Sequence, residues 1–395
     1  MRLITKSGRA GGVTAAASAR PSGAALAATD TRPTVPPALD ARLYRDPKVA
    51  ELEQERIFER TWQFAAHIAD LDAPGSYLTT SAGNQPVLVL RDQEGAIRAF
   101  RNVCRHRGSR LLSGSGECGK AIRCRYHGWT YRLDGELIGV PEARSIAGLD
   151  KSALGLFPVR AEVVCGLVFV NLDPHATPLA DEVAGLPERI ERYGIERLRV
   201  RPEKGSSQPA NWKVVVDNYL EGYHVPVAHP GLMRLLDYKR YAVEVHRGWI
   251  WFEAPLRDKP SGNRVERVYQ RLVEPMAGLS EEDGGVWRYA FIYPNTAIDF
   301  YPDQIGIWRI GPDGPSRTDV HSVTLLPAES SLRTRVAQFA NRKLNELVAH
   351  EDVDLVANVQ AGIESRGWTP GPLSGREAAV GWFADRIRAD LGELP

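Results

Sequence analysis

The sequence predicts an α+β protein in which a small antiparallel β-domain precedes a larger antiparallel sheet wrapped by helices. Short alternating segments between turn residues dominate the first part of the chain, and longer alternating segments follow in the second part. The chain then ends in two stretches with helical periodicity. Its 395 residues suffice for two hydrophobic cores. We expect the two domains at residues 38–165 and 166–395, after a disordered extension at residues 1–37.

The N-terminal extension is rich in Ala, Ser, Gly and Thr and contains no acidic residue before Asp30. This composition is typical of a disordered bacterial extension. An organelle transit peptide is the alternative, because arginine and serine occur there with few acids. Arginine exceeds lysine along the whole chain, so arginine in this segment is weak evidence for targeting. We therefore expect a cytoplasmic bacterial protein.

Composition also limits the partners. The 50 basic and 49 acidic residues balance, which argues against nucleic acid or an acidic membrane surface as a partner. No apolar run approaches the length of about 18 residues that a membrane span requires. The four cysteines do not require disulfides, so we expect a reducing compartment.

Helical spacing of apolar residues predicts a helix over residues 40–67, which is expected to pack on the second domain. Strands are expected at 75–80, 86–91 and 96–100, and again within 155–172. His67 is interpreted as a packing residue. Cys118 is expected in a loop, and Cys165 is expected to be a buried strand residue because it lies in an apolar run.

The second domain is expected to open with a polar helix at 179–193. Its further elements are predicted as strands at 241–252, 287–300, 304–310 and 320–326, followed by helices at 331–365 and 374–391. Ser374 is the expected cap of the last helix.

Two cysteine–histidine pairs carry the chemistry of the first domain. Cys104 and His106 form a C-x-H pair, 17 residues follow, and Cys124 and His127 form a C-x-x-H pair. A zinc finger pairs cysteine with cysteine and histidine with histidine. Mixed pairs instead suit a [2Fe–2S] cluster in which one iron takes both cysteines and the other takes both histidines. Zinc binding and four unrelated loop residues are the alternatives.

The stretch NVCRHRGSRL followed by IRCRYHGWTYRLDG resembles the Rieske domain in the large (alpha) subunits of the Rieske non-haem iron oxygenases. Gly108 and Gly128 follow the two pairs, where the backbone must bend around inorganic sulfides. Trp129 and Tyr131 are expected to shield the loop from water. Arg125 departs from the family, which usually has proline at this position.

A second candidate metal site lies in residues 211–230. Glu221 and His224 are three residues apart, so a helix would place them on one face. His229 is five residues further, and Pro226 is expected to stop the helix so that His229 can return from a loop. Two histidines and a distant carboxylate form the facial triad of non-haem Fe(II), which leaves positions open for O2. Packing or surface histidines are the alternative.

The pattern NWK…DNYLEGYH…H resembles the mononuclear-iron segment of the same family. The resemblance implies that His224 and His229 bind iron. It also implies that Glu221 bridges the iron site to the Rieske cluster of a neighbouring subunit, with Asp217 as the alternative and Asn218 beside it among the catalytic residues. The family more often has aspartate at the bridge, and a glutamate there resembles the branch that acts on carnitine-like quaternary amines.

The third iron ligand must come from elsewhere in the chain. The stretch HEDVDL at 350–355, with VQAG at 359–362, resembles the E-D-x-x-L…V-Q-x-G segment of the family, in which the aspartate binds iron. The resemblance assigns Asp352, with Asp354 and Glu351 as alternatives. A solvated acidic helix face is the non-functional interpretation.

The resemblance covers about residues 40–390 and implies a terminal oxygenase component that uses a Rieske [2Fe–2S] cluster, Fe(II) and O2. Electrons are expected from NAD(P)H only indirectly, through a separate ferredoxin or flavin reductase, because no G-x-G-x-x-G follows a strand. A bridge between subunits implies a homo-oligomer, most simply a trimer. An electron carrier with the Rieske cluster alone is the alternative function.

The substrate class stays open between an aromatic acid and a quaternary or N-methyl amine, so the reaction is ring or side-chain hydroxylation or oxidative N-demethylation. An aromatic cage would suit a quaternary ammonium group, and a flat apolar slot would suit an arene. Candidates to line the pocket, each with ordinary core packing as its alternative, are Trp249, Trp251, Phe252, Phe291, Tyr293, Phe300 and Tyr301.

Overall fold

The computed structural model describes residues 36–394. Apart from residues 36 and 37, the extension predicted at 1–37 lies outside the described residues and stays a prediction. No helix within residues 36–394 is both long and apolar enough to cross a membrane.

The described chain begins with short helical segments and not with one long helix. They are α1 (Ala41–Arg45), α2 (Pro47–Glu53) and a π-helical turn (Gln54–Phe58). The predicted helix at 40–67 is wrong at its end, because residues 63–67 form a strand. All five residues of this strand are buried, so the sequence lacks the alternation that marks a half-exposed strand.

Among the described residues, ten strands form two antiparallel sheets in the first part of the chain. They are β1 (Gln63–His67), β2 (Ser76–Ala82), β3 (Gln85–Arg91), β4 (Ile97–Arg101), β5 (Ser115–Glu117), β6 (Ala121–Arg123), β7 (Thr130–Arg132), β8 (Leu137–Gly139), β9 (Pro158–Val164) and β10 (Leu167–Asn171). The larger sheet has the order β1-β10-β9-β4-β3-β2-β5, and the smaller has the order β6-β7-β8. The predicted strands are confirmed with small shifts at their ends. The connections β4–β5 and β6–β7 carry the two cysteine–histidine pairs.

The hairpin between β9 and β10 corrects two predictions. Cys165 lies in its two-residue turn and not in a strand, with φ of 47°, and Gly166 follows with φ of 77°. Positive φ at both central residues is the geometry that two-residue hairpin turns favour. Because β9 and β10 pair across this turn, the larger sheet continues to Asn171 and the domain boundary predicted at 165 falls inside a hairpin. Cys118 lies in a loop, as predicted.

The second part of the chain builds a larger antiparallel sheet with helices around it. Its strands are β11 (Arg199–Pro202), β12 (Ser206–Gln208), β13 (Ala242–Val245), β14 (Trp249–Pro255), β15 (Val286–Ile292), β16 (Thr296–Phe300), β17 (Ile305–Pro312) and β18 (Thr318–Leu326). The order is β11-β18-β17-β16-β15-β14-β13, and β12 also pairs with β18.

The helices of this part are α3 (Leu179–Glu182), α4 (Leu186–Ile190), α5 (Trp212–Tyr219), α6 (Val225–Ala228), α7 (Pro230–Leu235), α8 (Arg264–Leu272), α9 (Leu332–Glu364) and α10 (Ala378–Leu391). The predicted α+β class is therefore confirmed. The long helix at 331–365 is also confirmed, since α9 starts after its cap Ser331. Ser374 caps a short 3-10 turn that leads into α10.

Two predicted elements are divided. The helix expected at 179–193 is broken by Gly185, whose φ of 86° does not fit an α-helix. The strand expected at 241–252 is the hairpin of β13 and β14, with a turn at 246–248. The residues that flank this turn are apolar on both sides, so the alternation pattern did not reveal the turn.

The leading helices pack on the second part of the chain, as predicted. Leu43 and Phe58 belong to the same buried cluster as Trp212 and Phe383. The rings of Phe58 and Trp212 meet edge to face with centroids 4.9 Å apart. His67 is buried, and its Nε2 lies 3.0 Å from the carbonyl of Ile195, which fits the packing role predicted for it.

Candidate metal centres and substrate cavity

Two loops of the same construction present the cysteine–histidine pairs. In each loop, the amide of Cys104 or Cys124 donates at 2.8 Å to the carbonyl five residues later. The amides of Gly108 and Gly128 donate back to the cysteine carbonyls at 3.1 and 3.0 Å. Both glycines have positive φ, 71° and 73°, which a side chain would strain. These turns therefore need glycine after each pair.

The cysteines lie inside this site and the histidines lie outside. Cys104 and Cys124 are buried, His106 is exposed and His127 is half-buried. The two imidazole centroids are 4.7 Å apart. Two thiols below and two imidazoles above offer each iron of a [2Fe–2S] cluster a pair of one kind, so this donor set fits a Rieske cluster.

Aromatic residues cover the candidate cluster site. The ring of Trp129 stacks on His106 with centroids 4.8 Å apart. The hydroxyl of Tyr131 lies 3.3 Å from Cys104 Sγ and accepts a hydrogen bond from the amide of Arg105 at 3.0 Å. Trp129 and Tyr131 are both buried, so they shield the loop as predicted. Arg125 is exposed between the ligands.

Two helices bring the second set of ligands together. His224 directly precedes α6, His229 directly follows it, and α9 carries Asp352. The helix expected through Glu221 and His224 is wrong, because α5 ends before Glu221. Pro226 lies in the first turn of α6, a position that proline favours, and so belongs to a new helix.

The donor atoms of the two histidines and Asp352 converge. His224 Nε2 and His229 Nε2 are 3.1 Å apart. Asp352 Oδ1 lies 3.1 Å from His229 Nε2 and 3.8 Å from His224 Nε2. Donors about 3 Å apart fit one face of an octahedral ion with ligands at about 2.1 Å. The residues present therefore fit a mononuclear iron of the two-histidine, one-carboxylate type.

Each of these histidines turns its other nitrogen to a carboxylate. Glu221 Oε1 hydrogen-bonds His224 Nδ1, and Glu351 Oε2 lies 2.7 Å from His229 Nδ1. Such partners fix the tautomer and leave Nε2 directed at a metal. Burial alone would lower the pKa of His229, but the bonds to Asp352 and Glu351 raise it above its ordinary value. The two carboxylates therefore favour a positive charge at the position of His229.

The remaining predicted site residues fall in different places. Asp217 is turned into the protein, accepts a hydrogen bond from the Tyr44 hydroxyl at 2.7 Å, and does not line the cavity beside the histidines. Burial raises its pKa to about 7. Asn218 lines the cavity. Asp354 is exposed and outside the converging group, so the structure brings Asp352 to the histidines and not this alternative.

A cavity of about 210 Å³ lies beside the two histidines. Helices α5 and α9 and the large sheet line it. Six aromatic residues face it, namely Tyr219, Tyr241, Phe252, Tyr289, Tyr301 and Trp308. The cavity is therefore mainly apolar and aromatic, with the candidate iron ligands at one side.

One carboxylate of the sheet also faces this cavity. Asp299, in β16, accepts hydrogen bonds from the Tyr219 hydroxyl at 2.9 Å, from Trp308 Nε1 at 2.9 Å and from the Tyr301 hydroxyl at 3.4 Å. Burial raises its pKa to about 6, although these three bonds act in the opposite direction. Asp299 is therefore a buried carboxylate that is held by aromatic hydrogen-bond donors.

Strand register places these groups together. Phe252, Tyr289, Asp299 and Gly306 are paired in one row across β14 to β17. A Cβ atom at Gly306 would lie 3.3 Å from the indole nitrogen of Trp308. Glycine therefore leaves room for Trp308 to reach Asp299.

The seven aromatic candidates divide between the pocket and the ordinary core packing that the sequence analysis also allowed. Phe252 and Tyr301 line the cavity, whereas the other five are buried in the core: Trp249, Trp251, Phe291, Tyr293 and Phe300. Sequence reasoning missed Asp299. The sequence did contain a signal for it. The segment TAIDF holds a single acid among apolar residues, and burying a carboxylate is unfavourable unless it has a binding partner.

Comparison with known proteins identifies both domains. Residues 61–151 match the Rieske [2Fe-2S] domain, and residues 195–393 match the ring hydroxylating alpha subunit (catalytic domain). The carnitine monooxygenase oxygenase subunit of Escherichia coli K12 is 30% identical over 84% of this chain and 85% of its own. The glycine betaine monooxygenase oxygenase subunit of Chromohalobacter salexigens is 30% identical over 88% and 85%. The solved structure of a quaternary ammonium Rieske monooxygenase matches with TM-score 0.79 and 28% identity, over 91% of this chain and 96% of that one.

The fold and the two centres thus define a Rieske oxygenase. The chain belongs to the ring-hydroxylating oxygenase alpha subunits, with an N-terminal Rieske domain and the family's catalytic domain. It is an oxidoreductase whose cofactors are a Rieske [2Fe–2S] cluster and a mononuclear iron. The alternative of an electron carrier with the cluster alone does not account for the catalytic domain.

Proposed function

We propose that this chain is the terminal oxygenase of a monooxygenase system that hydroxylates a small N-methylated cationic amine. The observation that carries the proposal is the position of the iron-ligand triad beside a cavity with six aromatic rings and a buried carboxylate. Aromatic faces attract a quaternary ammonium group. Relatives about 30% identical that are named carnitine and glycine betaine monooxygenases support this substrate class.

We assign Cys104, His106, Cys124 and His127 to the cluster, and the triad of His224, His229 and Asp352 to the iron. When bound, the two cofactors supply single electrons and an open site for O2. The aromatic rings orient the amine, present one of its C–H bonds to the open side of the triad and keep bulk water out.

The net reaction takes the substrate, O2, two electrons and two protons to a hydroxylated product and water. A hydroxylated N-methyl group then loses formaldehyde and leaves the demethylated amine. No electron donor is built into the described residues apart from the two centres, so a separate NAD(P)H-dependent reductase is proposed to supply the electrons.

Glu221 is proposed as the bridge between the two centres of neighbouring subunits in a homotrimer. Its carboxylate already bonds His224, and two apolar residues beside it, Tyr223 and Val227, are exposed by 57% and 89%. A partner surface would cover them. On the other side, His106 is exposed at the cluster site and available to a neighbour. The four free thiols suit the bacterial cytoplasm as the working compartment.

The test uses the full chain reconstituted with iron and sulfide. Hydrogen peroxide replaces O2 and the reductase, since it carries both the oxygen atom and the two electrons. The panel contains N-methyl cations and aromatic acids of similar size, and products are read by mass spectrometry together with formaldehyde release. The variant His224→Ala is the control for chemistry outside the triad.

We expect products from N-methylated amines that are heavier by one oxygen or demethylated with formaldehyde, and none from His224→Ala. Products from the aromatic acids alone would replace the proposal with ring or side-chain hydroxylation. Equal product in His224→Ala would remove the triad from the mechanism.

A further inference from the structure

The charge of the substrate cavity is unbalanced. Three carboxylates line it, Glu221, Asp299 and Asp352, whereas no lysine or arginine does so among the residues that the structure describes. Glu221 and Asp352 are already engaged with the histidines of the iron site. Asp299 bonds only to aromatic donors within residues 36–394. It is the cavity carboxylate whose charge is not matched by a cationic side chain.

A buried carboxylate without a counter-charge is costly. The bonds from Tyr219 and Trp308, both at 2.9 Å, distribute the charge but do not neutralise it. A cation that enters the cavity would therefore gain from Asp299 and from the faces of the surrounding rings together. The aromatic donors also fix the carboxylate in place, so little reorganisation is needed when a cation binds.

The same arrangement disfavours a substrate that carries its own carboxylate. Such a group would be desolvated with no lysine or arginine side chain to pair with among the described residues, and it would be repelled by Asp299. The uncharged amides that line the cavity, Gln208, Asn218 and Asn345, can instead hydrogen-bond a hydroxyl or a neutral carbonyl. The cavity thus separates cations from zwitterions of equal size.

We propose that the substrate is an N-methylated monocation without a carboxylate, such as an amino alcohol or a neutral amide, and that Asp299 is its counter-charge. This inference rests on the proposed function and narrows its substrate class. It sets this chain apart from relatives whose names specify carnitine or glycine betaine, both of which are zwitterions at neutral pH.

A matched pair of ligands tests the inference without any mutation. Glycine betaine and its carboxamide have nearly the same size and differ in the charge of one end, and choline serves as a third cation of similar length. Binding to the protein that holds both metal centres is measured by calorimetry, and peroxide-driven turnover is measured by mass spectrometry. We expect the amide and choline to bind about 100-fold more tightly than glycine betaine, because the acid leaves a buried charge unpaired.

Variants then test Asp299. Asp299→Asn should weaken binding of the amide and choline and reduce the preference over glycine betaine to about 10-fold or less, since the counter-charge is removed. Asp303→Asn is the matched control, because Asp303 is a buried aspartate four residues away that does not line the cavity. The visible spectrum of the cluster reports whether each variant has folded around its metal.

The outcomes are separable. Glycine betaine or carnitine bound as tightly as the amide would overturn the inference, while turnover of any N-methylated amine would leave the proposed function in place. Turnover of aromatic acids alone would overturn both. Equal losses in Asp299→Asn and Asp303→Asn would overturn the role of Asp299, and a wild-type preference for the amide would still support the substrate class.

Discussion

At the scale of single residues, the carboxylates behind the histidines determine how the iron site is held. Glu351 lies 2.7 Å from the Nδ1 atom of His229, opposite to the nitrogen that faces Asp352. Glu351→Ala should lower iron affinity about 10- to 100-fold, as loss of such a partner typically does. The amount of iron that the protein retains during dialysis against a chelator measures this loss of affinity.

The control for this variant lies on the same helix. Asp354→Asn removes an exposed acid that is not part of the converging group, so its iron retention should match the wild type. If Glu351→Ala retained as much iron as the wild type, Glu351 would not support the iron site and would only contribute to the surface charge of α9.

A second residue-scale prediction concerns the potential of the cluster. The Tyr131 hydroxyl accepts from the amide of Arg105 and so directs its proton at Cys104 Sγ, 3.3 Å away. A hydrogen bond to a ligand sulfur stabilises the reduced, more negative cluster. A bond worth about 1 kcal/mol corresponds to about 40 mV for one electron, so Tyr131→Phe should lower the midpoint potential by that order.

A redox titration followed by electron paramagnetic resonance measures this shift. Tyr126→Phe is the matched control. Tyr126 is 57% exposed, so this substitution should leave the midpoint potential of the cluster almost unchanged. A potential in Tyr131→Phe that equals that of the control would contradict the hydrogen bond to the cluster ligand.

At the scale of elements, α5 is fixed by a buried ion pair with the leading helices. Lys213 is fully buried and pairs with Glu53 of α2, and Trp212 Nε1 donates to the same carboxylate at 2.8 Å. Asn211 caps α5 through a bond to the amide of Lys213 at 3.0 Å. The NWK motif therefore holds the helix that precedes the iron site, and its residues do not reach the cavity.

Removing one member of this pair should be strongly destabilising. Lys213→Met leaves Glu53 buried and unpaired, which typically lowers the free energy of unfolding by about 3–5 kcal/mol. Urea unfolding followed by circular dichroism measures the loss. In the double variant Lys213→Met/Glu53→Gln much of it should return, since neither charge of the pair is left. A single variant as stable as the wild type would contradict the role given to the pair.

The elements also explain what the sequence could and could not predict. The ligand motifs are local, so the spacing of Cys104 to His127 and of His224 to His229 pointed to both centres. Strand β1 was missed because its residues are buried on both faces. The meeting of Asp299 with Trp308 depends on register between neighbouring strands and on a glycine opposite, which no local pattern reveals.

At the scale of the whole molecule, each chain presents a group of each proposed metal centre near its surface. His106 is exposed at the cluster, and Glu221 with its apolar surroundings lies at the rim of the iron site. If Glu221 receives the cluster of a neighbour, a chain lacking its cluster and a chain lacking its iron can complement each other. If both centres of one chain work together, such chains stay inactive in any mixture.

Coexpression of Cys104→Ser with His224→Ala tests this. In a ring of randomly mixed subunits, an interface is active when one chain provides the cluster and the next provides the iron, so one half times one half gives about a quarter of wild-type reductase-driven activity. Each variant alone should be inactive, and two affinity tags establish that mixed oligomers have formed. Activity absent from verified mixed oligomers would show that electrons pass within one chain and would remove Glu221 from the path between subunits.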